Sequence, residues 1–95
     1  TIQRGHAIAN SLPLLACNRV GHEDDPSGRT GGIRFWGHSF IAGPQGEILS
    51  TAGEQDAVLV TRLDLSRTAE LRQQWPFFRD RRIDAYPGLL KRLCD

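Results

Sequence analysis

The stretch FWGHSFIAGPQGEIL, residues 35–49, decides how the rest of the chain is read. An apolar run leads into Gly43-Pro44-Gln45-Gly46. Pro at the second position and Gly at the fourth suit a tight turn. The pattern predicts a strand over 33–43 (IRFWGHSFIAG), a turn at 43–46, and a partner strand over 47–52 (EILSTA). Gly37 inside the first strand predicts a bulge or a close backbone approach.

Upstream, LLACNRV (14–20) is short and mostly apolar, the pattern of a strand covered on both faces. GHEDDPSGRTGG (21–32) carries four Gly, one Pro and three acids, and predicts a loop. TIQRGHAIANSL (1–12) fits the end of a helix with Ile2, Ala9 and Leu12 near one face and small Ala7 and Ala9 allowing close packing, which Pro13 ends. Downstream, GEQD (53–56) is a turn, and AVLVTRLDL (57–65) is the clearest strand. DLSRTAELRQQW (64–75) predicts a helix capped by Asp64 or Ser66, with an apolar stripe of Leu65, Ala69, Leu71 and Trp75. The tail FFRDRRIDAYPGLLKRLCD (77–95) mixes aromatics with a charge cluster and ends in one helical turn at 88–93. There is no internal repeat or low-complexity segment.

This order is an α/β pattern with hairpins. Its helices are too few to cover both faces of the sheet it implies. The apolar strands therefore call for a further layer, or for association.

Composition narrows the function classes. The 95 residues are 39% hydrophobic and 24% charged, which indicates a globular chain of at most one domain. Twelve Lys and Arg against 11 Asp and Glu leave a net charge of +1, which argues against a general nucleic-acid or anionic-membrane binder. No apolar run approaches the roughly 20 residues of a membrane span. The two cysteines, Cys17 and Cys94, form neither a CxxC pair nor a disulfide framework, and read as thiols in a reducing compartment such as the cytoplasm.

Each chemical motif has a plainer counterpart. Cys17 in an apolar strand reads as a small core thiol rather than a nucleophile. His6, His22 and His38 match no metal-ligand spacing. Gly37-His38-Ser39 resembles the start of a nucleophile elbow, but Ile41 replaces the last Gly and the segment continues as a strand. Arg79-Asp80-Arg81-Arg82 reads as an ion-paired cluster offset by Asp80 and Asp84, in a tail whose Phe77, Phe78 and Tyr86 suit an interface.

Taken in order, GHAIANSLPLLACNRVG, FWGHSFIAGPQGEIL, AVLVTRLDL and WPFFRDRRIDAY resemble the C-terminal part of the nitrilase, or carbon–nitrogen hydrolase, superfamily. The resemblance rests on Asn18-Arg19-Val20-Gly21, on Trp36 to Glu47 and on Trp75 to Arg82, and covers nearly all of the chain. It departs at Ile83, where a Pro is usual, and at His38, in a variable position. Within the superfamily, SFIAGP and FFRDRR are most like the branch that hydrolyses N-carbamoylputrescine.

The resemblance implies a four-layer α-β-β-α sandwich. Residues 1–75 would supply sandwich elements, and 76–95 a tail reaching a neighbouring subunit in a homo-oligomer. It implies cleavage of N-carbamoylputrescine to putrescine, carbon dioxide and ammonia, as in polyamine biosynthesis, with no metal or organic cofactor. The family's Glu base, oxyanion-stabilising Lys and Cys nucleophile match no residue here, so this section alone would be inactive. His22, Glu23 and Trp36 are the candidate substrate-binding residues, an acid there pairing with the substrate's free amine. Two rival expectations stand: a structural segment that only associates, and an amidase for another ureido or amide substrate.

Overall fold

The computed structural model describes residues 1–91. Two helices, α1 (Ile2–Asn10) and α2 (Leu65–Gln74), flank five short strands. These are β1 (Leu14–Ala16), β2 (Val20–Glu23), β3 (Ile33–Trp36), β4 (Phe40–Ala42) and β5 (Ile48–Thr51), and a 3₁₀ turn over Pro87–Leu90 follows α2.

The strands divide into a three-stranded sheet, β1-β4-β5, and a two-stranded ribbon, β2-β3, all antiparallel. The two are parts of one long hairpin. Leu14 faces Ala42 and Ala16 faces Phe40; beyond them Val20 faces Trp36 and Glu23 faces Ile33. Three residues on each strand, 17–19 and 37–39, lie between the ladders, so the register carries through without a slip. At this waist Gly37 and His38 take left-handed φ of 64° and 58° and turn the chain out of the ladder.

The strands expected over 14–20 and 33–43 are therefore right in extent but broken in the middle. Leu15, at 60% exposure, is not covered on both faces. The loop expected over 21–32 gives up its first three residues to β2, because the ladder continues through them.

The Gly43–Gly46 turn forms as the sequence predicts, with the Gly46 N–H donating to the Gly43 carbonyl at 2.9 Å. It docks on both helices. A Cβ on Gly46 would lie 2.8 Å from Ile8 of α1, and Arg67 of α2 bonds Gln45. α1 ends at Ser11 in a left-handed cap, where the Leu12 N–H reaches the Ala7 carbonyl at 3.1 Å, and Pro13 follows. α2 starts at Asp64, whose carboxylate accepts from the Ser66 N–H at 3.0 Å and hydroxyl at 2.6 Å.

Two expected apolar stripes differ from those observed. α1 buries Ala7, one of its two small residues expected to pack closely, but not Ile2, Ala9 or Leu12, and α2 buries Leu71 as expected, with Thr68, but not Leu65, Ala69 or Trp75. The rest of each expected stripe stays exposed because none of the described residues covers it. The larger correction concerns 57–65, where residues 57–64 join no ladder and Leu65 already begins α2. Its alternation is that of a strand: Leu59, Thr61 and Leu63 are half-buried, whereas Val58 and Val60 are 89% and 88% exposed. The sequence carries the strand pattern, but a strand exists only when a neighbour accepts its N–H and C=O groups.

The helical turn expected at 88–93 is seen as the 3₁₀ turn over Pro87–Leu90; residues 92 and 93, and Cys94, lie outside the described residues.

Candidate functional site

The hairpin beyond the waist carries all three candidate residues. Side chains alternate across a ribbon. Val20 and His22 therefore share a face with their partners Trp36 and Arg34, while Glu23 lies on the opposite face with Phe35. On that face Arg19 ion-pairs with Glu23 and stacks over the Phe35 ring, 4.3 Å from its centroid. His22 Nε2 stands 3.1 Å from Asp24 Oδ1, and Arg34 reaches Glu54 at 3.2 Å, tying the ribbon to the 53–56 turn.

The structure thus brings His22 and Trp36 to one face and sets Glu23 apart on the other. His22 lines a shallow cleft with Arg34, Glu54 and Gln55. Trp36, 69% exposed, lines a second cleft of about 340 Å³ with Gln3, Cys17, His38 and Phe40.

The ribbon's tip is built by Asp25. Its carboxylate accepts from the N–H and hydroxyl of Ser27 at 2.8 and 2.7 Å, and from the N–H and hydroxyl of Thr30, both at 2.9 Å. The Ser27 hydroxyl, then these other donors, hold the Asp25 carboxyl well below the usual carboxylate range. Glu23 and Asp25 are thus committed to Arg19 and to the tip. Asp24 stands beside His22 with its side chain 96% exposed to solvent.

The waist is held by side chains where ladder bonds are missing. The Asn18 N–H donates to Ser39 Oγ at 2.9 Å, and the Ser39 hydroxyl donates to the Asn18 carbonyl at 3.2 Å. Asn18 Nδ2 donates to the Gly37 carbonyl at 2.7 Å, and Asn18 Oδ1 accepts from the Arg19 N–H at 3.0 Å. The Ser39 hydroxyl is thus occupied in structure, against an elbow nucleophile. The Gly53 carbonyl accepts from the His38 N–H at 3.0 Å and fills the space beside Gly37, where a Cβ would lie 2.5 Å from that oxygen.

Cys17 corrects the core-thiol reading: it is a free, exposed cysteine one residue past the end of β1 at Ala16. Among the described residues no group of three His, Cys, Asp or Glu side chains could hold a metal ion; His6 stands on α1, His22 on β2 and His38 between β3 and β4. No helix among them is long and apolar enough to cross a membrane. Sequence reasoning missed two cross-links, Asn18 with Ser39 and Arg34 with Glu54. The signal was present: Asn18 and Gly37–Ser39 interrupt two apolar runs at facing positions of one hairpin.

Residues 1–73 match the carbon–nitrogen hydrolase family. The chain is 46% identical over 92 residues to an N-carbamoylputrescine amidase of Solanum tuberosum and 47% identical over 91 residues to one of Arabidopsis thaliana. It is 34% identical over 91 residues to the omega-amidase NIT2 of Homo sapiens. These alignments cover 94%, 94% and 96% of this chain, but the chain spans only about 30% of the length of those relatives. Its structure resembles that of a carbon–nitrogen hydrolase from Helicobacter pylori G27, with a TM-score of 0.82 at 58% identity, over 98% of this chain and 32% of that one. A family match along most of the sequence and a shared backbone at high identity lead to one conclusion: the chain belongs to the carbon–nitrogen hydrolase family.

Proposed function

We propose that these residues are the C-terminal section of an amidase that hydrolyses the carbamoyl C–N bond of N-carbamoylputrescine, giving putrescine, carbon dioxide and ammonia. The observation that carries the reading is the 46–47% identity to plant N-carbamoylputrescine amidases along nearly the whole chain. In this reading a thiolate upstream attacks the carbamoyl carbon, an amine leaves, and water frees the enzyme. An oxyanion-stabilising Lys and a Glu base, also upstream, complete the machinery. The section described here frames the pocket, and alone it is inactive.

His22, Glu23 and Trp36 serve as pocket-border residues in this proposal. Trp36 suits it best, as an exposed indole face that can lie against the substrate's ammonium. Asp24, beside His22, is the acid open to pair with that amine. The complete fold would be the four-layer α-β-β-α sandwich in the cytoplasm. Its missing layers would cover the outward valines, and the tail from 76 onward would contact a second subunit.

The test is ammonia release by the full-length protein offered N-carbamoylputrescine and an ω-amide side by side. The reading requires the higher kcat/KM on N-carbamoylputrescine. Preference for the ω-amide would favour the second reading, which the 34% identity to an omega-amidase motivates. Turnover of neither would favour a segment that only associates.

A further inference from the structure

We propose that Asn18 and Ser39 are positioning residues that lock the β2–β3 ribbon in line with the β1-β4-β5 sheet, and so fix how the pocket border meets the substrate. The ladders on either side of the waist share one register, yet 17–19 and 37–39 form no regular ladder between them. A ribbon joined through an unpaired waist would swing. Here one side-chain amide and one hydroxyl supply the cross-links. Asn18 Nδ2 holds the Gly37 carbonyl, and Ser39 Oγ both accepts from and donates to the Asn18 backbone. The Gly37 N–H to Arg19 carbonyl bond, at 3.0 Å, closes the distal end. Gly53 buttresses the turn of Gly37 and His38 from behind. Neither side chain needs to touch substrate. Both act through the ribbon that carries His22 and Trp36.

The clamp rests on geometry alone; its effect on substrate rests on the amidase reading, and the experiment separates the two. In the full-length protein, Asn18→Asp keeps size and the acceptor to Arg19 but removes the Nδ2 donor. Ser39→Ala removes the hydroxyl, and Ser39→Thr restores it. Loss of one such bond predicts about fivefold faster amide hydrogen exchange over 20–23 and 33–36, with 40–42 and 48–51 unchanged. KM for N-carbamoylputrescine should rise by up to about tenfold with kcat held within about twofold, as for lost uniform binding. Ser39→Thr should restore both. Unchanged exchange over 20–36 in Asn18→Asp and Ser39→Ala would overturn the clamp. Faster exchange with an unmoved KM would overturn its positioning role. If the unsubstituted protein fails to turn over N-carbamoylputrescine, the amidase reading falls, and the exchange measurement still decides the clamp.

Discussion

At the scale of single residues, the waist depends on a position where only glycine fits. Gly37 has φ 64°, and a Cβ there would sit 2.5 Å from the Gly53 carbonyl oxygen and 2.7 Å from Val20. Backbone cannot give way as a flexible side chain can. Gly37→Ala should therefore destabilise the full-length protein by at least about 1–2 kcal/mol from left-handed strain, with the clash added. A denaturant melt reads this as a lower midpoint, and an unchanged midpoint would mean the waist relaxes freely. Asp25 makes a pH prediction. Its folded pKa lies below the ordinary value of 3.8, so its contribution is complete above that value and is lost as pH falls through the folded pKa. The Ser27 and Thr30 amide resonances should hold steady from pH 8 to about 5 and shift only in stronger acid; a transition near neutrality would contradict the assignment. Gly37 was legible in the sequence, since a lone Gly in a strand pattern marks close approach. Asn18 and Ser39 left only a trace, as breaks in two apolar runs, because pairing across the hairpin gives them their role and pairing is set by register.

At the scale of elements, the segment after the second hairpin separates pattern from structure most clearly. Val58 and Val60 alternate with Leu59 and Thr61 as a half-buried strand would, yet the ladder is absent. Local propensity is a property of the segment, whereas a strand is a property of a pair. α2 was legible for the opposite reason: its hydrogen bonds are internal and its Asp64 cap is local. The same logic explains the apolar stripes misjudged on both helices, since a stripe read from spacing says which face is apolar and not whether anything covers it. If the complete protein supplies the neighbour, Val60→Lys should lower its stability by at least about 1.5–3 kcal/mol, the transfer free energy of one buried Val. It should also make the 95-residue chain less prone to aggregate, by placing a charge on an open edge. Thermal melts of the full-length protein check the first effect; an unshifted melt would mean this face meets solvent in the whole molecule.

At the scale of the whole molecule, the chain is a flat slab of 59 × 40 × 18 Å with a radius of gyration of 19.6 Å. A compact chain of this length would have a radius near 12 Å. It exposes 8066 Å², where a compact protein of its mass would expose about 5,500 Å². Among the described residues the buried apolar side chains are Ala7, Ile41, Ala42 and Leu71, too little core to hold the slab alone. The excess surface is the physical counterpart of spanning about 30% of its relatives' length. The tail continues the theme. Arg79 pairs with Asp80 and Arg82 with Asp84 within the tail, which lowers the carboxyl of Asp84, while Phe78 is left 78% exposed. If the tail contacts a second subunit, as proposed, its exposed aromatics rather than its paired arginines should carry that contact. Phe78→Ala should then shift the full-length protein toward smaller species by light scattering, at ~3–5 kcal/mol if the ring is buried there, and an unchanged mass would leave the tail solvated. The central claim is that these residues frame an amidase whose nucleophile lies elsewhere in the polypeptide. The most direct test is steady-state ammonia release from N-carbamoylputrescine by the full-length protein with and without Cys17→Ala. The account predicts turnover in both, with kcat reduced by less than about tenfold, against the roughly 10⁶-fold loss that removing a nucleophile causes. Cys17→Ala falling to background while the unsubstituted protein is active, or no ammonia from either, would contradict it.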